Sequence, residues 1–146
     1  MLFVSSPNSV KGSPHRVTTL LSEAATRSLE ERLIAWFTTL RSDGSPHTTP
    51  AWFIFDENFI WIASGQRNRK VANVLGDPRV SIAIDGSASS PLVAQGRAAI
   101  IDMADVPQMV LDGLARKYNG WDPRDNSIDG ERVLLKISID RWLLGA

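Results

Sequence analysis

Three cations fall within four residues at Arg67, Arg69 and Lys70, in the stretch 65–78 that reads GQRNRKVANVLGDP. Asn68 is placed to cap a helix over about 69–75, Gly76 to end it, and Asp77-Pro78 to block its continuation. The cations therefore stand at or just inside the helix N-terminus, where the macrodipole is already positive. Each costs a few tenths of a kcal/mol, on the order of 0.3, unless an anion answers it. Unpaired backbone N–H groups and basic side chains converging at one spot form a phosphate or carboxylate site. The residues alone leave a second reading open, a solvated basic turn or pairing with Asp77 and Glu57.

Other chemistry is sparse. His15 lies in a loose N-terminal stretch and His47 beside a hairpin turn; neither has a catalytic partner in the sequence, and a surface or capping role is the simpler reading. There is no G-x-S-x-G, H-E-x-x-H or Walker loop. Asp122, Asp125 and Asp129 lack the spacing and terminal Glu of a calcium loop, so loop solvation is expected and no metal. With no Cys there is no disulfide, thiolate metal site or thiol nucleophile. Of the five Trp residues, Trp36, Trp52 and Trp61 fall on expected strands as core or interface. Trp121 falls in a loop, where it either covers a flat ligand or plugs the end of the fold. An anion site with so little acid–base equipment points to a cofactor that carries the chemistry.

The elements that must position these residues form one domain. The chain has 146 residues, enough to bury a core, and 16 Lys+Arg against 16 Asp+Glu. Zero net charge disfavours general nucleic-acid binding but not a local basic site. Residues 1–18, with Ser, Pro and Gly and no periodicity, read as a flexible arm, and 19–146 as a single domain. The apolar run near the start is too short for a signal peptide or a membrane span, so a cytoplasmic protein is expected.

Within the domain, Leu20, Leu21, Ala24, Ala25, Leu29 and Leu33 recur at helical spacing over 19–32, and Ser22-Glu23 suits a helix start. The period then changes. A β-prone run over 33–40, the Ser42-Asp43-Gly44-Ser45 turn, a return strand over 46–55 and a strand over 59–64 make an antiparallel meander. Val80, Ile82 and Ile84 alternate along 79–85. Gly96 within the next strand, 91–102, suggests a bulge or a close approach. A helix is expected to begin near Asp105 with a capping box to Gln108 and to end at Asn119-Gly120. The final strand covers 132–142. Six strands, turn-length connections and few helices predict a mainly β fold, an antiparallel barrel with peripheral helices.

The order strand, D-G turn, strand ending P-x-W-F, strand, R-x-R-K-x-x-N-x-x-x-D-P-R-V, alternating strand and G-R-A strand resembles the pyridoxamine 5′-phosphate oxidase-like split barrels. More narrowly, it is similar to their actinobacterial, deazaflavin (coenzyme F420)-dependent branch. The resemblance covers about 20–143 and is most specific over R-K-V-A-N-V-L-G-D-P-R-V. It implies a six-stranded antiparallel split β-barrel working as a homodimer, with cofactor sites at the subunit interface and a small-molecule substrate.

Carried onto this sequence, Arg69 and Lys70 match the family's basic pair at the cofactor phosphate, with Asn68 beside them, Asn73 one helical turn on and Arg67 just ahead. Ala63 and Ser64 match the strand end that leads to the phosphate. Thr48, Thr49, Pro50 and Ala51 match the strand whose backbone lies against the ring system. Thr48 stands where the FMN-dependent oxidases commonly carry Arg, which favours F420 over FMN. The C-terminal substrate-phosphate residues of pyridoxamine phosphate oxidases have no match, so vitamin B6 oxidation is not expected. Hydride transfer to a conjugated acceptor is the activity implied. An FMN enzyme of the same fold, or a protein that binds cofactor or haem without turnover, are the alternatives.

Overall fold

Period-two burial along the strands, set by the alternation of apolar residues, organises the chain. The computed structural model describes residues 2–3, 18–19, 21–85 and 90–145. The expected arm therefore lies outside the described residues, His15 with it, except that β1 (Leu2–Phe3) pairs antiparallel with β2 (Thr18–Thr19). Helix α1 (Glu23–Glu31) starts where Ser22 Oγ accepts the Ala25 N–H at 3.1 Å, as the sequence predicts, though four residues later than the expected onset at 19.

The strands β3 (Ala35–Leu40), β4 (Pro46–Ala51), β5 (Phe53–Asp56), β6 (Phe59–Gly65), β7 (Arg79–Ile84), β8 (Leu92–Ile101) and β9 (Arg132–Leu144) form one sheet. Its order is β4-β3-β7-β8-β9-β6-β5, and every pair is antiparallel. The two edge strands, β4 and β5, are consecutive in the chain with only Trp52 between them. A sheet whose edges are tied by one residue has to curl back on itself, which makes a barrel with a seam at Trp52. The expected strand over 46–55 thus divides in two, giving seven strands where six were expected: β4 pairs with β3, and β5 with β6. Phe37, Phe53, Ile60, Ile62, Ile82, Ile84, Leu92, Leu135 and Ile137 fill the interior.

The Asp43-Gly44 turn forms as read: Asp43 Oδ1 accepts from the Ser45 N–H at 2.9 Å and its hydroxyl at 2.6 Å, and Gly44 takes φ 84°. At Gly96 the β8–β9 register shifts, and a Cβ there would lie 2.1 Å from the Ser138 carbonyl, so the expected bulge and close approach coincide. The region after β8 differs from expectation. Asp105 closes a 3₁₀ turn (Met103–Asp105), and α3 (Gln108–Lys117) begins only after Pro107, whose φ of −59° suits the helix entry. The expected capping box from Asp105 to Gln108 is therefore not made. Asn119 and Gly120 end α3 at φ 54° and 82°, as predicted. No helix among the described residues is long and apolar enough to cross a membrane.

Helix α3 packs outside the barrel on Ile54, Trp61 and Leu134, and its C-terminal end closes the seam. The Tyr118 hydroxyl accepts from the Phe53 N–H at 2.8 Å and directs its proton to the carbonyls of Leu33 (2.9 Å) and Phe53 (3.0 Å). Beside it, Lys117 Nζ donates to the Leu29 carbonyl at 3.0 Å and lies 3.5 Å from the Phe53 ring centroid. Tyr118→Phe leaves the Phe53 N–H unmet in the interior and is expected to lower unfolding stability by about 1–3 kcal/mol. Thermal denaturation checks this, and an unchanged midpoint would contradict it.

Burial pushes the Lys117 ammonium down to about 8 and the Tyr118 hydroxyl up to about 12. Between pH 8 and the ordinary lysine value of 10.5, the unfolded chain holds a proton that the fold has released, so stability rises with pH. Above the ordinary tyrosine value of 10.0, the fold retains a proton that the unfolded chain loses, so stability falls. Urea midpoints are expected to rise from pH 8 towards pH 10, to fall beyond it, and to rise less in Lys117→Met. A profile identical in the two proteins over that interval would contradict the assignment.

Candidate cofactor site

Helix α2 (Arg69–Gly76) leaves β6 and packs over β3, β6 and β8. Val71 and Val74 are buried, and Asn73 is buried with them, its Nδ2 donating to the Thr39 hydroxyl at 3.0 Å. Thr39 has no exposed surface, so this bond pins α2 to β3. Asn68 occupies the N-cap position with extended backbone, but its side chain makes no capping hydrogen bond. The expected side-chain cap is therefore absent, and the first-turn N–H groups are not answered by it. Arg67, Asn68 and Arg69 are exposed, while Lys70 is half-buried, and desolvation lowers the pKa of its ammonium. Asp77 is held instead by Arg79 at 2.8 Å, which pulls its carboxyl down to about 2. Among the described residues, Arg67, Arg69 and Lys70 make no ion pair. Pairing with Asp77 or Glu57, the alternative left open by the sequence, is not what the structure shows.

Strand β4 presents its residues to two faces. Thr48 and Pro50 point outward, opposite Thr38 and Trp36 of β3, and the Thr48 and Thr38 hydroxyls bond at 2.8 Å. His47, Thr49 and Ala51 point the other way, opposite Thr39, Phe37 and Ala35. His47 Nδ1 and Thr49 Oγ1 are both buried without a hydrogen-bond partner. Desolvation, and then Arg41, Lys70 and Arg69, hold the His47 imidazole below its ordinary pKa. Arg41 itself is anchored on the Pro46 carbonyl at 2.7 Å. Four cationic or titratable side chains from β4, the β3–β4 turn and α2 therefore act at one place. The sequence reading missed His47 and Arg41. Alternation counted from the Asp43-Gly44 turn would have put His47 on the same face as Thr49, but only the fold brings α2 over it.

The remaining candidates fall elsewhere. Ala63 and Ser64 lie at the end of β6, opposite Leu134 and Val133. Ala63 packs against the α3 cluster, and the buried Ser64 hydroxyl donates to the Gly65 carbonyl at 3.1 Å. Trp121 is half-buried at the seam, edge-on to Trp52 at 5.1 Å, with the Arg132 guanidinium 5.2 Å from its ring centroid. Trp52, 42 % exposed, stacks on Tyr118 at 4.5 Å and 6°. This aromatic group and the cationic group stand at opposite ends of β4, about 17 Å apart by strand rise from His47 to Trp52. Asp122 pairs with Arg124 and Asp129 with Arg132. Among the described residues, no His, Asp or Glu cluster is arranged to hold a metal ion.

Unmet polar atoms beside the half-buried Lys70 and the exposed Arg41 and Arg69, with an aromatic surface one strand-length away, suit a ligand that has a phosphate at one end and a ring at the other. The sequence profile of the pyridoxamine 5′-phosphate oxidase family matches residues 21–144, and this chain belongs to that family. It is 33% identical over 129 residues to the F420H₂-dependent biliverdin reductase of Mycobacterium tuberculosis, covering 86% of this chain and 89% of the relative. Among solved structures it superposes on an F420 reductase (TM-score 0.69, 20% identity, 84% of this chain and 98% of the other). It also superposes on HutZ, the haem storage protein of Vibrio cholerae (TM-score 0.69, 15% identity, 86% and 95%).

Replacing Lys70 with Ala keeps a strong helix former at the first turn of α2 and removes a charge that desolvation already strains. The folded variant is expected to bind a phosphate-bearing flavin or deazaflavin about ten- to a hundredfold more weakly, the worth of one charge-assisted hydrogen bond. Fluorescence titration measures it, and unchanged affinity would remove the anion site.

Proposed function

We propose that this chain is a deazaflavin-dependent oxidoreductase, using F420 to reduce a conjugated small-molecule acceptor and working as a homodimer. The observation that carries this is the meeting of Lys70, Arg69 and His47 at one end of β4, where buried polar atoms lack partners. The name of the Mycobacterium tuberculosis relative supports it. In this reading Lys70 and Arg69 hold the phosphate, Arg67 reaches the outward-running tail, and Asn73 acts from beneath by fixing α2 to β3. The backbone of Thr48, Thr49, Pro50 and Ala51 runs along the ring. Because, among the described residues, β4 pairs only with β3, every second peptide group on it points away from the ladder, able to meet the polar edge of a ring. Ala63 and Ser64 bound the approach to the phosphate. Trp121 supports the exposed Trp52 at the ring end. Bound there, the reduced deazaflavin supplies the hydride, while the protein supplies position and excludes water.

The outer face supports the second copy. Pro50, Trp36, Ala83, Val93 and Leu144 are cross-strand neighbours in one row over β4, β3, β7, β8 and β9. Trp36 is 48% exposed and Leu144 52%. An apolar row of this kind marks an interaction surface; in this reading a second copy covers it, and the exposure of Thr48 and Pro50 on the same face supports a ring-binding strand near that contact.

With Thr48 where FMN oxidases carry Arg, FMN has one fewer fixed charge for its terminal phosphate, whereas F420 gathers contacts along its tail. Native mass spectrometry with both cofactors is expected to show a dimer carrying two F420. Titration is expected to give F420 at least about tenfold the affinity of FMN, an advantage eroded by salt. Equal or tighter FMN binding would make this an FMN protein, and a monomer would break the interface site.

A further inference from the structure

His47 is one of only two histidines in the chain, and its environment is unusual for a structural one. A histidine that serves only packing has its ring nitrogens fixed by partners; here Nδ1 is buried and has none. Two residues along the same face, Thr49 Oγ1 is orphaned as well. Across the ladder stands Thr39, which is uncharged and whose hydroxyl is taken by Asn73. The charged groups that act on the imidazole are all cations: Arg41 from the β3–β4 turn and Arg69 and Lys70 from α2. The one carboxylate of that turn, Asp43, is folded back onto Ser45.

We propose that His47 is the proton-linked ligand of this anion site. At neutral pH the imidazole is mostly neutral while the site is empty, and binding a phosphate draws up to one proton from solvent. The resulting imidazolium then donates a hydrogen bond to a phosphate oxygen, and the Thr49 hydroxyl donates to the same group. The inference rests on the anion site proposed above, but not on the deazaflavin in particular.

The physical cause is a reversal of sign. Three cations and desolvation oppose a further positive charge on the empty site. A phosphate among them turns the local field in favour of that charge. Affinity for an anion whose own charge stays fixed must then rise as pH falls, by linkage. A phosphodiester such as that of F420 is an anion of this kind.

The test uses the full chain with His15→Gln, which leaves His47 as the sole histidine. Its Cε1 proton is followed by NMR from pH 5 to pH 9, with sodium sulfate as a non-titrating anion and with sodium chloride at matched ionic strength. Sulfate is expected to raise the midpoint by about one unit or more. F420 is expected to bind several-fold more tightly at pH 6 than at pH 8, with part of that dependence lost in His47→Asn. A midpoint that sulfate and F420 both leave unmoved would overturn the proposal, even if F420 binds. A midpoint raised by sulfate in a protein that fails to bind F420 would support it, and would overturn the deazaflavin reading alone.

Discussion

The Tyr118 hydroxyl is the contact on which the geometry of the barrel turns. A sheet whose first and last strands are joined through one residue leaves backbone groups at the joint with no ladder to enter. Here the Phe53 N–H and the carbonyls of Phe53 and Leu33 all meet that one oxygen. Without it, the break at Trp52 would bury a donor with no acceptor, a penalty comparable to a large part of a domain's net stability. With it, β4 can leave β3 while β5 joins β6, and the buried Phe53 N–H at the crossing keeps an acceptor.

That solution also arranges the candidate site. Closing the seam with a tyrosine brings α3 and its trailing Trp121 to the Trp52 end of β4, where Trp52 stacks on Tyr118. The tight Asp43-Gly44 turn fixes the other end, setting His47 opposite Thr39. Asn73 then reaches the same Thr39 from α2 and draws Lys70 and Arg69 over it. A single edge strand thereby carries an aromatic surface at one end and a cationic one at the other, on a chain whose overall charge is zero. The charge is local, and its position is a consequence of packing.

What the sequence made legible was whatever a few neighbouring residues decide. The Asp43-Gly44 turn, the Ser22 start of α1, the Asn119-Gly120 stop of α3 and the bulge at Gly96 each depend on local backbone demands, and each stands where the residues put it. The expectations that failed were those in which a tertiary partner or a neighbouring residue outweighed the local rule applied, or in which a side chain left its local role unfilled. Trp52 reads as an ordinary strand residue, because no Gly, Asn or Asp interrupts 46–55 to signal a turn; only the change of pairing partner makes it a joint. The spacing of Asp105 and Gln108 fits a capping box, but Pro107 sets the helix start after itself. Asn68 has the residue type for a cap and leaves it unmade. His47 could not be valued from the sequence, since its neighbours Arg69 and Lys70 lie more than twenty residues away and arrive through the Asn73–Thr39 bond.

If β4 and the start of α2 form one cofactor site, a bound cofactor has its phosphate at the cations and its ring at the seam. A crystal structure of the protein soaked with F420 tests it most directly. Phosphate density is expected within hydrogen-bond distance of Lys70 and Arg69, and a ring lying along Thr48 to Ala51 with a second copy of the chain completing the pocket. Density for the cofactor at any other surface, or a phosphate in this site with the ring directed away from β4, would contradict it.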